Sequence, residues 1–156
     1  MGNSNYFQII SDIVGRAERA IFSKFLLPHT VSNYQKNLQH GKPLKGSRVL
    51  VLGTAYKPDV DDLRESPALD VIGLLEQNGA VVDYHDPYIP QITQDSWEKT
   101  SVSYYLLSAR QSDCLVIVTD HSCYDFPAIL EAVNLIVDTR NALSRVSADR
   151  SKVVRL

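Results

Sequence analysis

Short apolar runs alternate with helix-like segments from residue 48 onward, and this alternation restricts the fold more than any other feature of the chain. The apolar runs predict buried strands at 48–53, 80–85, 114–119 and 135–138. Helical periodicity, with a serine–proline start and a glycine end for the first segment, predicts helices at 67–78, 102–111 and 126–133. Strands that alternate with helices form a parallel sheet with helices on both faces. We therefore predict an α/β sandwich of three layers.

The first 46 residues follow a different pattern. Apolar side chains at 6–27 recur every three or four positions, which predicts a long amphipathic helix. Residues 28–46 are polar and contain several turn-forming residues, which predicts a connector or a short helix. The chain is thus divided into an amino-terminal helix and connector, 1–46, and one Rossmann-like α/β domain, 47–156. The sheet of that domain is expected to be mostly parallel, with about four to six strands.

The overall composition excludes several classes of function. A length of 156 residues with 44% hydrophobic residues is enough for one core. The net charge of -2 and the pI near 6.0 give no field that would attract nucleic acid. Two cysteines fit a reducing compartment better than a disulfide scaffold, and no apolar stretch reaches membrane-spanning length. The sequence therefore predicts a cytoplasmic protein without nucleic-acid or membrane partners.

The loop at 53–66 carries two cations and four acids directly after the first predicted strand. Ligands of open α/β sheets bind at the carboxyl ends of the strands, so this loop is the first candidate for a site. We expect one acid of the loop to brace Arg64 while Lys57 and Arg64 project towards an anionic ligand. The acids able to do this are Asp61, Asp62 and Glu65. An ordinary solvated charge cluster is the alternative interpretation.

Every predicted strand ends in small or polar residues, which would share one edge of a parallel sheet. These residues are Gly53, His85, Asp86, Thr119, Asp120, His121, Asp138, Thr139 and Arg140. A binding edge is one interpretation, and the more general one is that strands must end in polar turns. The four histidines show no metal-ligand spacing and are interpreted as structural turn residues. Nothing in the sequence places a base or an oxyanion hole beside Cys123, so thiol catalysis is not predicted either.

Two common functions of small parallel α/β chains fit this sequence poorly. Gly53 is followed by Thr-Ala-Tyr-Lys, without a G-x-G-x-x-G motif, and residues 41–47 do not form a P-loop, so a stand-alone dinucleotide-binding fold is not predicted. A signalling receiver domain would place an acidic pair directly after its first strand. Here Asp61 and Asp62 lie eight and nine residues past Gly53, which makes that function a minor alternative.

Three segments of the chain together form a recognisable pattern. They are Val-Leu-Val-Leu-Gly-Thr-Ala-Tyr-Lys-Pro-Asp-Val-Asp-Asp-Leu-Arg-Glu-Ser-Pro-Ala-Leu-Asp (49–70), Val-Asp-Tyr-His-Asp-Pro-Tyr-Ile-Pro (82–90) and Thr-Asp-His (119–121). This pattern closely resembles the carboxyl-terminal, nucleotide-sugar-binding domain of the UDP-glucose/GDP-mannose dehydrogenase family. The resemblance extends over residues 45–141 and is nearest to the UDP-N-acetylhexosamine 6-dehydrogenases.

The resemblance implies a place within a three-domain enzyme that oxidises the C6 alcohol of a nucleotide sugar to a carboxylate with NAD, through intermediates on a cysteine. The family's dinucleotide fingerprint and catalytic cysteine motif do not occur in this sequence. The chain is therefore expected to bind a UDP-sugar, of the UDP-N-acetylhexosamine or UDP-glucose type, without oxidising it alone. NAD would be held mainly by the missing amino-terminal domain. The expected partners are the missing dehydrogenase domains, with a homodimer as the full enzyme.

The resemblance also assigns roles to four residues of this chain. Tyr56 and Lys57 match substrate contacts, with Lys57 near the diphosphate or the sugar. Arg64 matches the family arginine that reaches NAD, and Arg140 is similar to a further substrate-contacting arginine. No residue of this chain is expected to be catalytic. Two alternatives stay open, a stand-alone module that binds a UDP-sugar without catalysis and a purely structural dimerisation domain.

Overall fold

The computed structural model describes residues 45–94 and 97–155. The helix predicted at 6–27 and almost all of the connector predicted at 28–46 lie outside these residues, so both stay predictions, as does the domain boundary at 46/47. The elements of the described part are, in chain order, β1 (Arg48–Leu52), α1 (Pro67–Gln77), β2 (Val81–His85), β3 (Gln91–Gln94), β4 (Trp97–Thr100), α2 (Tyr105–Arg110), β5 (Cys114–Ile117), α3 (Phe126–Ala132), β6 (Ile136–Asp138), a 3₁₀ turn (Ala142–Arg145) and β7 (Val153–Arg155).

Five of the strands form one sheet in the order β2-β1-β5-β6-β7. Every neighbouring pair in this sheet is parallel. Strand β1 lies between β2 and β5, with Val51 opposite Tyr84 on one side and Val116 on the other. The predicted α/β class and the mostly parallel sheet are confirmed, and all carboxyl ends of the five strands point to the same edge.

Successive side chains of β1 pack into different layers, because strand residues point alternately to opposite faces. Val49 and Val51 join the core that contains helix α1, whereas Leu50 and Leu52 join the core that contains α2 and α3. All four side chains are buried, which explains why β1 consists of apolar residues throughout. The sheet is therefore covered by helices on both faces, as the alternation of strands and helices predicts.

Helix α1 begins and ends at the residues that its capping signals indicate. The Ser66 hydroxyl accepts a hydrogen bond from the Ala68 N–H at 3.2 Å, and Pro67 occupies the first turn. At the other end Gly79 has a φ of 87°, the left-handed conformation that closes many helices. Helix α2 is shorter than predicted and begins at Tyr105, because Tyr104 has a φ of -123° and a ψ of 82°, outside the helical region. Before it, the Val102 N–H donates to the carbonyl oxygen of Tyr84 at 2.8 Å. Within the described residues, none of the helices is long and apolar enough to cross a membrane.

Two parts of the fold carry strands in regions for which the sequence analysis assigns no helix or strand. Strands β3 and β4 form an antiparallel hairpin, which is fixed to the domain by Ile92 in the core and by the contact of Lys99 with Glu76 of α1. Strand β7 adds to β6 from the polar carboxyl-terminal region, with Val153 opposite Ile136. In the sheet order, β5 and β6 separate strand β7 from β1, which the loop at 53–66 follows.

Candidate functional site

The loops that follow four strands are joined by hydrogen bonds at the carboxyl edge of the sheet. The Gly53 N–H donates to the His85 carbonyl oxygen at 2.9 Å, which ties the end of β1 to β2. The Thr119 hydroxyl donates to the Ala55 carbonyl oxygen at 2.6 Å, and the Thr139 hydroxyl donates to the Ile117 carbonyl oxygen at 2.8 Å. The strand ends therefore form one connected layer, as expected for the edge where α/β proteins bind ligands.

A buried pair, Asp86 and His121, lies at the centre of this layer. Asp86 is 1% exposed and His121 is 0% exposed. One carboxylate oxygen of Asp86, Oδ2, contacts Nε2 of His121 at 2.8 Å and accepts the backbone N–H groups of Thr54 and Ala55 at 2.6 and 2.9 Å. The other oxygen, Oδ1, accepts the Tyr88 N–H at 2.8 Å. Burial alone would raise the pKa of Asp86, but the hydrogen bonds from His121 and the backbone outweigh it and hold that pKa far below its usual range.

The loop at 53–66 is closed on itself and tied to the loop after β5. The Tyr56 N–H donates to the Asp62 carbonyl oxygen at 2.7 Å, so the two sides of the loop meet. Asp59 at its tip has a φ of 60°, which is left-handed, and its N–H donates to Nδ1 of His121 at 2.9 Å. The Asp59 carboxylate in turn accepts the Ser122 N–H at 2.9 Å, and this hydrogen bond is the main cause of the lowered pKa of Asp59. The loop is thereby held at both its beginning and its tip.

Tyr56 and Lys57 lie on the first side of this loop. The Lys57 side chain is exposed, and its Nζ lies 5.5 Å from the centroid of the half-buried Tyr56 ring, within cation–π range. None of the carboxylates in residues 45–94 and 97–155 forms an ion pair with Lys57. The ammonium group is therefore available to an anion that approaches the edge.

Arg64 lies on the second side of the loop and is braced by Asp62. The Arg64 Nε is 3.0 Å from Oδ1 of Asp62, and a terminal nitrogen of Arg64 is 3.1 Å from Oδ2. The hydrogen bonds from Arg64 lower the pKa of Asp62. The predicted brace is confirmed, and Asp62 is the acid of the three candidates that provides it. Arg64 itself stays 88% exposed.

Arg140 lies at the same edge but after β6. The buried carboxylate of Asp138 accepts the N–H groups of Arg140, Ala142 and Leu143, each at 3.0 Å, and so fixes the turn that carries Arg140. The Arg140 Nε donates to the Val118 carbonyl oxygen at 2.7 Å. Arg140 lines an open groove of about 1300 Å³ between α3 and residues 140–152. Other cations of the groove are Arg145 and Lys152, and its aromatic side chains are Tyr124 and Phe126.

The structure thus places the four predicted residues on one edge, in two groups. Tyr56, Lys57 and Arg64 belong to the loop at 53–66, whereas Arg140 belongs to the groove beside α3. Strand β5 separates the two groups in the sheet, because it lies between β1 and β6. A ligand that contacts both would therefore have to extend along the edge across the end of β5.

Sequence reasoning missed the pairing of Asp86 with His121. Both residues stand at predicted strand ends, for which the sequence leaves a binding edge and polar turns as alternatives, and His121 is interpreted with the other histidines as a structural turn residue. His121 does begin a turn, since its carbonyl oxygen accepts the Tyr124 N–H at 3.2 Å, but its ring is buried and contacts Asp59 and Asp86. The sequence contained one signal for this contact. Both residues follow predicted strands, and the structure places these strands, β2 and β5, on either side of β1. Among the described residues, the structure contains no group of three or more histidines, cysteines or acids that could hold a metal ion.

An aromatic cluster next to this pair was also missed. The ring of His85 lies 5.0 Å from that of Tyr105 and 5.6 Å from that of Tyr124. The Tyr124 hydroxyl donates to the His85 carbonyl oxygen at 2.9 Å and lies 3.2 Å from Nδ1 of His85. Burial lowers the pKa of His85, so its imidazole is favoured in the neutral form. The neighbouring Cys123 has a pKa raised by burial, which favours the thiol over the thiolate.

Known proteins with similar sequences match the α/β part of this chain. The model of the UDP-glucose/GDP-mannose dehydrogenase family, UDP binding domain, matches residues 50–145. UDP-glucose 6-dehydrogenase TuaD of Bacillus subtilis is 40% identical over 81 residues, which cover 49% of this chain and 17% of that protein. UDP-N-acetyl-D-mannosamine dehydrogenase of Methanococcus vannielii is 32% identical over 117 residues, which cover 70% of this chain and 25% of that protein. The chain therefore spans a quarter or less of the length of these two relatives.

Solved structures share the fold. NDP-N-acetyl-D-galactosaminuronic acid dehydrogenase from Methanosarcina mazei superposes with a TM-score of 0.60 at 23% identity, over 92% of this chain and 28% of that one. UDP-D-ManNAc dehydrogenase from Pyrococcus horikoshii gives a TM-score of 0.57 at 22% identity, over 92% of this chain and 30% of that one. At these identities the likeness concerns the fold, and it agrees with the Rossmann-like class predicted from the sequence.

Proposed function

Because the chain belongs to the UDP-glucose/GDP-mannose dehydrogenase family, as a UDP-binding domain, we propose that its carboxyl strand edge binds the nucleotide of a UDP-sugar within an NAD-dependent nucleotide-sugar 6-dehydrogenase. One observation carries the proposal. Lys57 is an exposed cation on a loop that the buried Asp86 holds against the edge, and it forms no ion pair with the described carboxylates. A positioned ammonium of this kind suits the oxygens of a diphosphate.

The proposed contacts extend along the edge from the loop to the groove. Lys57 would bind the diphosphate or the adjoining sugar, and Tyr56 would contact the same ligand from the position next to it. Arg140 would supply a second cation from the groove, held in place by its hydrogen bond to Val118. The sugar is proposed to be an N-acetylhexosamine or glucose, which the names of the similar dehydrogenases support.

NAD would be held mainly outside this chain. Arg64 fits a contact to it, because its guanidinium is exposed and its orientation is fixed by Asp62, with donors left over for a ligand. When bound, NAD supplies the acceptor for the hydride that the sugar alcohol loses. The chain's own residues would bind and orient the nucleotide sugar, without a catalytic group. The complete enzyme is proposed to act in the cytoplasm as a homodimer that contains the further dehydrogenase domains.

Calorimetric titration of the chain with UDP tests the proposed site. A hydrogen bond to a charged group contributes about 1.5–3 kcal/mol, so Lys57→Ala should weaken UDP binding roughly ten- to hundredfold. The matched control is Arg64→Ala, which removes the other cation of the same loop but is proposed to face NAD. Its UDP affinity should stay within about threefold of the wild type.

Thermal unfolding of both variants should match the wild type, because both side chains are exposed. If UDP affinity were unchanged by Lys57→Ala and by Arg140→Ala, the nucleotide would not bind at this edge. The proposed function would then be wrong for this chain.

A further inference from the structure

We infer that His121 is a positioning residue, which fixes the tip of the loop at 53–66 through Nδ1 and thereby sets the place of Lys57. This inference rests on the proposed function for its effect on ligand affinity, but the hydrogen bonds that carry it are independent of any ligand. Asp86 holds the opposite side of the same imidazole. The pair therefore joins three segments, the loop after β1, the turn after β2 and the loop after β5.

The hydrogen-bond partners of His121 define its tautomer. The Asp59 N–H lies 2.9 Å from Nδ1, and a backbone N–H can only donate, so Nδ1 must accept. A neutral imidazole then carries its proton on Nε2, which donates to the Asp86 carboxylate at 2.8 Å. Each nitrogen consequently has a separate task. Nε2 fixes the ring to Asp86, and Nδ1 fixes the loop at 53–66 through the Asp59 N–H.

The ring has little freedom to leave this position. It is fully buried, with the ring centroid of Tyr88 at 5.0 Å and that of Tyr124 at 5.6 Å. The buried Asp86 carboxylate would also lose a donor if the imidazole turned away, which is costly inside a protein. His121 is thus a rigid support with one acceptor directed at the loop.

Lys57 lies between two of the points at which the loop is held. The N–H groups of Thr54 and Ala55 donate to Asp86 on one side, and the N–H of Asp59 donates to His121 on the other. Lys57 is two residues from Ala55 and two from Asp59. Asp59 also has a left-handed φ of 60°, which is less favourable than a negative φ even for aspartate, a residue that adopts it more readily than most. Release of Asp59 would therefore let the backbone around Lys57 rearrange.

Two substitutions separate the tasks of the two nitrogens. In His121→Asn the amide oxygen can take the place of Nδ1 and accept the Asp59 N–H, while the contact with Asp86 is lost. In His121→Gln the amide nitrogen can take the place of Nε2 and donate to Asp86, while the acceptor for Asp59 is lost. We expect His121→Asn to keep UDP affinity within about threefold, and His121→Gln to lower it about tenfold or more.

Amide hydrogen exchange provides a readout that needs no ligand. The Asp59 N–H should be protected in the wild type and in His121→Asn, and should exchange much faster in His121→Gln. If His121 acted only by supporting Asp86, the two variants would behave in the reverse order. His121→Gln would then keep both its UDP affinity and the protection of the Asp59 N–H. Equal UDP affinities for the two variants, or a protected Asp59 N–H in His121→Gln, would also overturn the inference.

The wild type itself supplies a test that does not depend on how well the variants fold. Nitrogen NMR of the His121 ring should show a protonated Nε2 and a bare Nδ1 at neutral pH, and a proton on Nδ1 would overturn the inference. Absence of UDP binding to the wild type would refute the proposed function alone. The tautomer and the exchange of the Asp59 N–H would still decide whether His121 positions the loop.

Discussion

Gly53 directly follows β1 and begins the loop at 53–66. The site requires a residue without a side chain at this position. Its φ is 77°, and a Cβ added there would lie 2.2 Å from the Thr119 carbonyl oxygen. A real Cβ cannot approach a backbone oxygen so closely. The loops after β1 and β5 can therefore come together only because Gly53 lies between them. The hydrogen bond from Thr119 to Ala55 depends on this close passage.

We predict that Gly53→Ala lowers the free energy of unfolding by about 3 kcal/mol or more, because the left-handed φ and the backbone overlap act together. The matched control is Gly73→Ala in helix α1, where an added Cβ meets no atom of residues 45–94 and 97–155 within 4 Å. That variant should be neutral or more stable by about 0.5–1 kcal/mol, because alanine favours a helix over glycine. Urea denaturation measures both. Similar losses for the two variants would contradict this account of Gly53.

Contacts among the residues of the candidate site were predictable from the sequence only where one loop contains both partners. Lys57, Asp62 and Arg64 lie within one loop, so their proximity needs no knowledge of the sheet. Asp86 and His121 are 35 residues apart, and they meet only because β2 and β5 both flank β1. Strand order is a property of the whole sheet, which the apolar pattern of each strand does not specify.

The hairpin of β3 and β4 is attached to the domain by polar contacts as well as by its core residue. Glu76 of helix α1 accepts a hydrogen bond from the Trp97 indole at 3.2 Å and pairs with the Lys99 ammonium at 2.8 Å. Lys99 also donates to the Val82 carbonyl oxygen at 2.6 Å, and Val82 belongs to β2, an outer strand of the five-stranded sheet. One carboxylate thus links the hairpin, the helix and, through Lys99, strand β2.

We predict that Glu76→Ala shifts the tryptophan fluorescence to longer wavelength and lowers stability by about 1–2 kcal/mol, because the half-buried Trp97 indole loses its acceptor and the Lys99 ammonium keeps only the Val82 carbonyl oxygen among the acceptors described above. The chain contains one tryptophan, so the emission reports on this hairpin alone. Gln77→Ala, an exposed change on the next residue of α1, is the matched control and should leave the spectrum unaltered. An unchanged spectrum in Glu76→Ala would show that the hairpin is held by other contacts.

Elements with strong periodicity were predictable, and those with short or mixed patterns were not. Strand β1 and helix α1 were located correctly because a continuous apolar run and two capping signals mark them. Strand β3 buries only Ile92 of its four residues, so its sequence has no apolar pattern to detect. Strand β7 is a three-residue strand in a polar carboxyl-terminal region, and it lacks the longer apolar run, at 135–137, that marks β6.

At the scale of the whole molecule, Asp86 connects the ends of three strands, so its ionisation contributes to the stability of the domain. It accepts hydrogen bonds from the loop after β1, from its own turn and from the loop after β5. These hydrogen bonds require the carboxylate form. In the unfolded chain the same aspartate is expected to have a pKa of about 3.9, whereas the folded protein holds its pKa far below that.

The sign of the pH dependence follows from this difference in pKa. Between the two pKa values the unfolded chain binds a proton that the folded protein excludes, so acid favours unfolding. We predict that the free energy of unfolding falls as the pH drops below about 4, towards the lowered pKa of Asp86.

Asp86→Asn should lower the free energy of unfolding by about 3 kcal/mol at pH 7, because it removes one partner of a buried pair. Its stability should then depend less on pH in the acid range, so the two curves approach each other below pH ~4.

Urea denaturation from pH 7 to pH 2 measures the difference between the wild type and Asp86→Asn. Asp83→Asn is the matched control, since Asp83 lies on β2, which Asp86 follows, is partly exposed, and within the described part of the chain forms a long pair with Arg48 at 3.8 Å. That variant should lie within about 0.5 kcal/mol of the wild type at pH 7. A constant difference between the wild type and Asp86→Asn over the whole range would show that the loss comes from packing and not from the charge. Convergence of the two curves in acid would instead assign the lost stability to the ionised carboxylate, which holds the loop of Lys57 in place.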